Sequence, residues 1–166
     1  VAKSWLPPAK LPDAQAAAEK ASHTLAAAMM GARIFTNAGL LAVDEIYSAG
    51  QAVIDCEIVE HVRHVCRGFE FDDSTLAIKA IEEVGPAPGN FMDHDTTVSN
   101  FRTATWYPDL FDHSTLRQWQ DRGSPDIIGR ARQIAREHIA GQDYVLDAHR
   151  RRDLEVIYQR ARQDCE

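Results

Sequence analysis

Between residues 54 and 69 the apolar side chains Ile54, Ile58, Val62, Val65 and Phe69 recur at steps of four, four, three and four, with Glu57, Glu60, Arg63 and His64 elsewhere around the axis. That period is the repeat of an amphipathic helix, and such a helix must find a second apolar surface to bury against. The chain offers others like it. Pro12-Asp13 opens a helix running to Met30, with Asp13 supplying an N-cap oxygen or first-turn negative charge where backbone N–H groups lack partners. Ala16, Ala17, Ala18, Ala21, Ala26, Ala27 and Ala28 keep that helix narrow. Small side chains of this kind let a helix lie close on a sheet or in a crowded bundle.

Few segments read as strands. Gly31 ends the first helix, Ala32 to Thr36 is apolar and short enough for a strand, and Asn37-Ala38-Gly39 follows as a turn. A helix followed by such a strand is the αβ half of a βαβ unit, so the expected class is α/β, predominantly helical, with a parallel sheet. Residues 1–10 are extended because Pro7 and Pro8 forbid a helix interior. Gly68 terminates or distorts the second helix, and Asp72-Asp73-Ser74 caps a shorter one through Glu83. The stiff loop at 85–90 leads through Phe91 to Thr97 into a helix with Val98, Phe101 and Thr105, stopped before Pro108. Ser124-Pro125 reads as an N-cap followed by a first-turn proline, with Ile127, Ile128, Ala131, Ile134, Ala135 and Ile139 buried behind it. Asp147 caps a last helix with Leu154, Ile157, Tyr158 and Ala161 on one face.

The length, 166 residues, suits one domain or a piece of a larger one. No apolar run approaches the ~20 residues that span a bilayer, and no basic segment followed by an apolar one marks a secretory signal. Cys56, Cys66 and Cys165 cannot all pair and show no metal-type spacing, so a reducing, cytoplasmic setting is expected. The net charge of −7 argues against nucleic acid and anionic membranes as partners. Residues 1–116 hold 8 Lys/Arg against 16 Asp/Glu, whereas residues 117–166 hold 10, all Arg, against 9. Acids interleave with these arginines at helical spacing, as on solvated helix faces with local ion pairs; the alternative is an arginine patch for an acidic partner.

Two clusters invite a chemical reading. His61, His64 and Cys66 resemble a metal set, but at 100° per residue His61 and His64 lie about 60° apart while Cys66 lies about 160° from His64. One helix cannot aim all three at one ion, and histidines paired with Glu57 and Glu60 four residues earlier are the simpler expectation. In Asp93-His94-Asp95, a His between carboxylates on an ordered loop suits general acid–base work. The alternative is local: Asp95 or Thr96 caps the next helix and His94 bonds a neighbouring carbonyl. Trp106-Tyr107, with Phe101 and Phe111, is core packing or a ligand-stacking wall. No phosphate loop, nucleophile elbow or zinc-protease motif is written.

Several stretches, in order along most of the chain, resemble the carboxy-terminal part of the trimethylamine methyltransferase family, the amine:corrinoid methyltransferases. They are residues 10–16 (Lys-Leu-Pro-Asp-Ala-Gln-Ala), Gly31 to Ile34 with Asn37 to Gly39, and Asp55 to Ile58. Ile81 to Gly85 leading to Phe91 to His94, and Asn100 to Arg102 with Trp106 to Pro108, complete the set. The family's proteins are much longer and fold as a (β/α)8 TIM barrel with added helices. The resemblance implies that residues 1–115 are the last β/α units of such a barrel and residues 116–166 a helical extension. It implies a methyltransferase, or a piece of one, moving a methyl group from a tertiary or quaternary amine such as trimethylamine or glycine betaine to a corrinoid protein. The cofactor, cobalamin, would be carried by that partner and not bound directly.

Barrel sites lie at the carboxyl ends of the strands. On that basis the resemblance implies His94 and Asp93 as catalytic residues and Trp5, Asp13, Asn37, Phe91 and Asp95 around the substrate cation, with no metal ligands. The family loop often continues with a second His where this chain has Thr96, which weakens a paired-His role. Members that use trimethylamine carry pyrrolysine; none is written here, and its place is expected near the start of this chain or just upstream. The competing class is a non-catalytic module that associates with a corrinoid protein or with itself, and a weaker third is a metal-dependent hydrolase using His94, His61 and carboxylates. A piece of a closed barrel exposes edges and faces meant for neighbours, so a homo-oligomer or the remainder of a longer polypeptide is expected.

Overall fold

The computed structural model describes residues 6–86 and 89–165. Two compact units divide between Ala135 and Arg136. The first opens with α1 (Ala14–Met29), where Asp13 accepts the N–H groups of Gln15 and Ala16 at 3.0 and 3.1 Å, the cap that its position foretold. Its buried row is Ala16, Lys20, Thr24 and Ala28, one residue per turn, and this row packs along α2 (Ala49–Arg67). Helix α2 begins at Ser48, whose hydroxyl accepts from Gln51 N–H, and stops at Gly68 with φ at 68°. Ile54, Ile58 and Val62 meet Ala28, Leu110 and Ala131 in the main core, each large side chain contributing about 2 kcal/mol by leaving water.

The apolar stripe outruns that core. Phe69 is 74% exposed and Phe71 77%, their rings 4.9 Å apart beyond the end of the helix. Val65 is exposed as well.

Residues 32–36 form no ladder strand; Phe35 alone makes an isolated bridge. The sheet among the described residues is an antiparallel pair, β1 (Leu40–Leu41) and β2 (Ile46–Tyr47), with Leu40 opposite Tyr47 and Leu41 opposite Ile46. The expected parallel sheet is thus not found there, and the chain is predominantly helical. A strand exists through the ladder it shares with neighbours, and one extended segment cannot make a sheet. The connection from Asn37 to Val43 is instead a compact turn. Asn37, Gly39, Ala42 and Val43 all take left-handed φ, between 48° and 84°. Ala42 and Val43 donate their N–H groups to the carbonyls of Ala9 and Pro7, and Leu41 is buried with Ala9 and Ala16.

Further along, the single helix expected through Glu83 is broken in two, α3 (Asp73–Leu76) and α4 (Ile78–Val84), by Ala77 in the left-handed region. A 3-10 turn, Phe91–Asp93, precedes α5 (Asp95–Ala104), and α6 (Leu116–Asp121) follows with Thr115 and Gln118 capping it reciprocally. Ser124 does not start the next helix. It sits at φ 53°, Trp119 Nε1 donates to the Pro125 carbonyl at 3.1 Å, and Asp126 accepts Gly129 N–H at 2.8 Å before α7 (Ile127–Ala140). The indole tie holds Pro125 outside the helix, so the cap passes to Asp126. On α7 the small residues Ala131 and Ala135 are buried, while Ile139 is exposed.

The second unit holds the end of α7 and α8 (Ala148–Cys165), capped by Asp147 through the N–H groups of His149 and Arg150. Leu154, Ile157 and Tyr158 on α8 are exposed, so the apolar face read from the sequence has no cover within its own unit. Among the described residues, no helix is long and apolar enough to cross a membrane.

Candidate functional site

The seam between α1 and α2 carries the chain's most buried polar cluster. The Ala16-to-Ala28 row brings the α1 backbone close, and from it Lys20 reaches the Asp55 carboxylate as a buried ion pair. The same carboxylate accepts Gly39 N–H at 2.7 Å on Oδ2, the oxygen that also receives Lys20, and Gln51 Nε2 at 2.7 Å on Oδ1. Asp55 is only 7% exposed, and these three donors satisfy its carboxylate away from water. Beside this cluster lies a cavity of about 220 Å3, lined by Lys20, Thr24, Asn37, Asp55, Glu60 and Arg63, with Phe35 also facing it. Glu60 and Arg63 pair with each other on the exposed side of α2.

Two positions along the helix, Glu57 is equally buried and points the other way. Its Oε1 accepts the N–H groups of Leu110 and Phe111, each at 3.0 Å. Glu57 is therefore not a partner for His61, as its spacing had suggested. The His61 ring lies flat on Trp106, centroids 4.7 Å apart and planes 7° from parallel, with Phe111 edge-on to both. His64 and His113 stand 6.3 and 5.8 Å from the same indole. Trp106 thus packs against these rings, whereas Phe101 and Tyr107, read as core with it, are exposed. A second, apolar cavity of about 400 Å3 is lined by Asp13, Ala17, Ile54, His61, Phe111 and Ile127 among others. No group of three metal-ligating side chains forms among the described residues.

The acid-flanked histidine is arranged differently from expectation. His94 itself caps α5: its Nδ1 accepts Thr96 N–H at 3.2 Å, and its Nε2 lies 3.2 Å from Glu83 Oε2. The carboxylate that meets the ring is Glu83, eleven positions earlier, and not Asp93 or Asp95. Asp93 closes the 3-10 turn that Asn90 caps, and Asp95 places its charge in the first turn of α5.

The candidate residues therefore fall in separate places. Asn37 lines the cavity beside the Lys20–Asp55 pair and Asp13 the second one; Phe91, Asp93, His94 and Asp95 line neither. Trp5 lies outside the described residues. Asp13 uses one carboxylate oxygen in its helix cap. Lys20 and Asp55 went unremarked as a pair in the sequence, although a signal exists: both interrupt rows of small or apolar residues at helical spacing.

A family model described as trimethylamine methyltransferase (MTTB) matches residues 2–165. The chain belongs to this family. It is 33% identical over 122 residues to a trimethylamine methyltransferase of Desulfitobacterium hafniense (strain DSM 10664 / DCB-2), covering 74% of this chain and 24% of that protein. A trimethylamine methyltransferase of Methanosarcina barkeri (strain Fusaro / DSM 804) is 30% identical over 157 residues, covering 92% and 31%. A glycine betaine methyltransferase of D. hafniense (strain Y51) is 32% identical over 111 residues, covering 66% and 23%. This member of the trimethylamine methyltransferase family thus spans between about a quarter and a third of the length of these relatives. Its Asp55-to-Ile58 stretch, one of those that carried the resemblance, is where the two buried carboxylates lie.

Proposed function

We propose that this chain is the carboxy-terminal part of a cytoplasmic amine methyltransferase that moves a methyl group from a tertiary or quaternary amine to a corrinoid protein. The observation that carries the reading is the family match over residues 2–165, with relatives named for trimethylamine and for glycine betaine. In this reading residues 1–115 are the last β/α units of a TIM barrel and residues 116–166 its helical extension. The succession of α1, the extended residues 32–36 and α2, with an apolar Phe35 turned into the core between the helices, supports that assignment. The carboxyl end of that extended segment is then the Asn37–Gly39 turn, where barrel sites are built.

The corrinoid, carried by a partner protein, supplies the cobalt that accepts the methyl group. The task of this chain's residues is to hold a cation and line its methyl up for transfer. A quaternary ammonium leaves as a neutral amine once the methyl is taken, so orientation weighs more than proton delivery. Carboxylates and aromatic faces suit the cation; Asp13, Asp95, Phe91, Trp5 and Asn37 serve that role in this proposal, which requires the rest of a barrel to bring the Asn37 turn, Asp13 and the Phe91–Asp95 segment to one pocket, since they do not share a cavity here. His94 and Asp93 act at the reacting amine, with His94 Nε2 3.2 Å from Glu83 Oε2.

The test is methyl transfer to cob(I)alamin from trimethylamine or glycine betaine, followed by the absorbance change to methylcobalamin. Transfer dependent on the chain is expected. Its absence with both amines, from protein shown to be folded, overturns the catalytic reading; capture of a corrinoid protein without turnover would then identify an association module.

A further inference from the structure

We propose that Asp55 is a positioning residue for the Asn37–Gly39 turn and governs amine binding through it; the inference rests on the methyltransferase reading above. Three observations converge on that carboxylate. Its Oδ2 receives both the Gly39 N–H and the Lys20 ammonium, so the link between α1 and α2 and the hold on the turn meet at one atom. Gln51 fixes the other oxygen, which leaves the carboxylate no rotation by which it could keep one contact and drop another. Asn37, two residues before the clamped amide, lines the same cavity as Lys20 and Asp55.

The turn has reason to need a clamp. Asn37, Ala42 and Val43 are non-glycine residues in the left-handed region, a conformation held only where the surroundings enforce it. Its far end is tied by Ala42 and Val43 to the carbonyls of Ala9 and Pro7. At its near end Asp55 takes the Gly39 N–H, while the Gly39 carbonyl accepts Ser48 N–H at 2.9 Å. At Gly39 itself a Cβ would stand 2.6 Å from Tyr47 Cε2 and 3.0 Å from the Ser48 carbonyl oxygen, so the backbone there is seated against β2 with no slack. A mere interhelix ion pair would require Lys20 and Asp55 alone. The Gly39 bond extends the pair to the segment that the barrel assignment places at the mouth of the site.

Two variants separate the roles. Asp55→Asn keeps an oxygen for Gly39, and Gln51 can turn its amide to match the new NH2; Asp55→Ala leaves Gly39 without an acceptor. Hydrogen exchange by NMR at Gly39, referenced to the core amide of Val62, reads the turn, and calorimetry with glycine betaine and trimethylamine reads the site. In Asp55→Ala, Gly39 exchange is expected to rise at least about tenfold relative to Val62 and amine affinity to fall about tenfold, while Asp55→Asn stays within about threefold on both. Unchanged Gly39 exchange in Asp55→Ala overturns the clamp, and raised exchange with unchanged affinity overturns the positioning role. If the folded wild-type chain binds neither amine, the methyltransferase reading falls and takes the positioning role with it, while Gly39 exchange still decides whether the clamp exists.

Discussion

Asp55 and Glu57 stand two residues apart on α2, about 200° around its axis, and each buries a carboxylate against backbone N–H groups of a different, distant segment. One oxygen holds Gly39 and the other side of the helix holds Leu110 and Phe111. Helix α2 is thereby fastened on both flanks by charge-assisted hydrogen bonds, with the apolar face of Ile54, Ile58 and Val62 between them.

Removing one member of the Lys20–Asp55 pair strands the other in a site that excludes water. Lys20→Met is expected to cost about 3 kcal/mol in urea unfolding, because Asp55 keeps its two neutral donors but loses its counter-charge. The double variant Lys20→Met/Asp55→Asn, which removes the stranded charge but keeps an oxygen for Gly39, is expected to be more stable than Lys20→Met. A double variant less stable than that single one would mean that the pair contributes more than it costs to bury.

Among the described residues Glu57 forms no ion pair, and its recorded partners are two backbone N–H groups, so its oxygen matters more than its charge. Glu57→Gln keeps an acceptor for Leu110 and Phe111 and should lose about 1 kcal/mol, whereas Glu57→Ala orphans two buried N–H groups and should lose about 3 kcal/mol. Equal losses in chemical denaturation would contradict the hydrogen-bond account.

The turn from Asn37 to Val43 makes opposite predictions at two positions. Val43 is β-branched, half-exposed and at φ 68°, so Val43→Gly should be neutral or stabilising by up to about 1 kcal/mol. Gly39→Ala places a methyl into Tyr47 and should destabilise by more than about 2 kcal/mol. Thermal melts of the two variants decide this by their direction alone.

His94 combines a helix cap with the role proposed at the amine, and asparagine separates the two. His94→Asn can still accept Thr96 N–H but cannot reach Glu83 in the same way, so its melting temperature should stay close to wild type while methyl transfer falls about tenfold or more. His94→Ala should lose about 1 kcal/mol of stability as well. Full transfer by His94→Asn would remove this residue from the site.

Asp112 supplies a pH signature. The Ser114 hydroxyl and N–H, followed by Arg122, hold its carboxyl down from 3.8 to about 2. A depressed folded-state value means the contribution is complete above the unfolded value and is lost as pH falls through the folded one. The gap in urea midpoint between wild type and Asp112→Asn should therefore be constant above about pH 5 and close between about pH 4 and 2. A gap that persists below pH 2 would assign the effect to packing.

Much of the helical framework was legible because local chemistry dictates it. Asp13, Gly68 and Asp147 each occupy the helix end that their side chains or backbone freedom favour. What could not be read depended on distant partners. Residues 32–36 have strand composition, yet a ladder comes from other segments. Ala77 carries no mark of the left-handed bend it makes, and Ser124 lost its cap to Asp126 through an indole hydrogen bond from Trp119. At the candidate site, Asn37 does line a cavity, but the residues that shape its surroundings, Lys20 and Asp55, are separated by 35 positions and meet only because two helices pack.

The row Ala16, Lys20, Thr24 and Ala28 bears on how α1 docks. Small residues at every turn would let one helix glide along another in steps of one turn with little change in contact, and the methyl groups alone would tolerate several alignments. A single ammonium in that row breaks the degeneracy. Shifted one turn either way, α1 would present a methyl or a hydroxyl to Asp55 and leave an anion in the dry seam without its cation, so Lys20 acts as the index pin that selects one alignment from several otherwise similar ones.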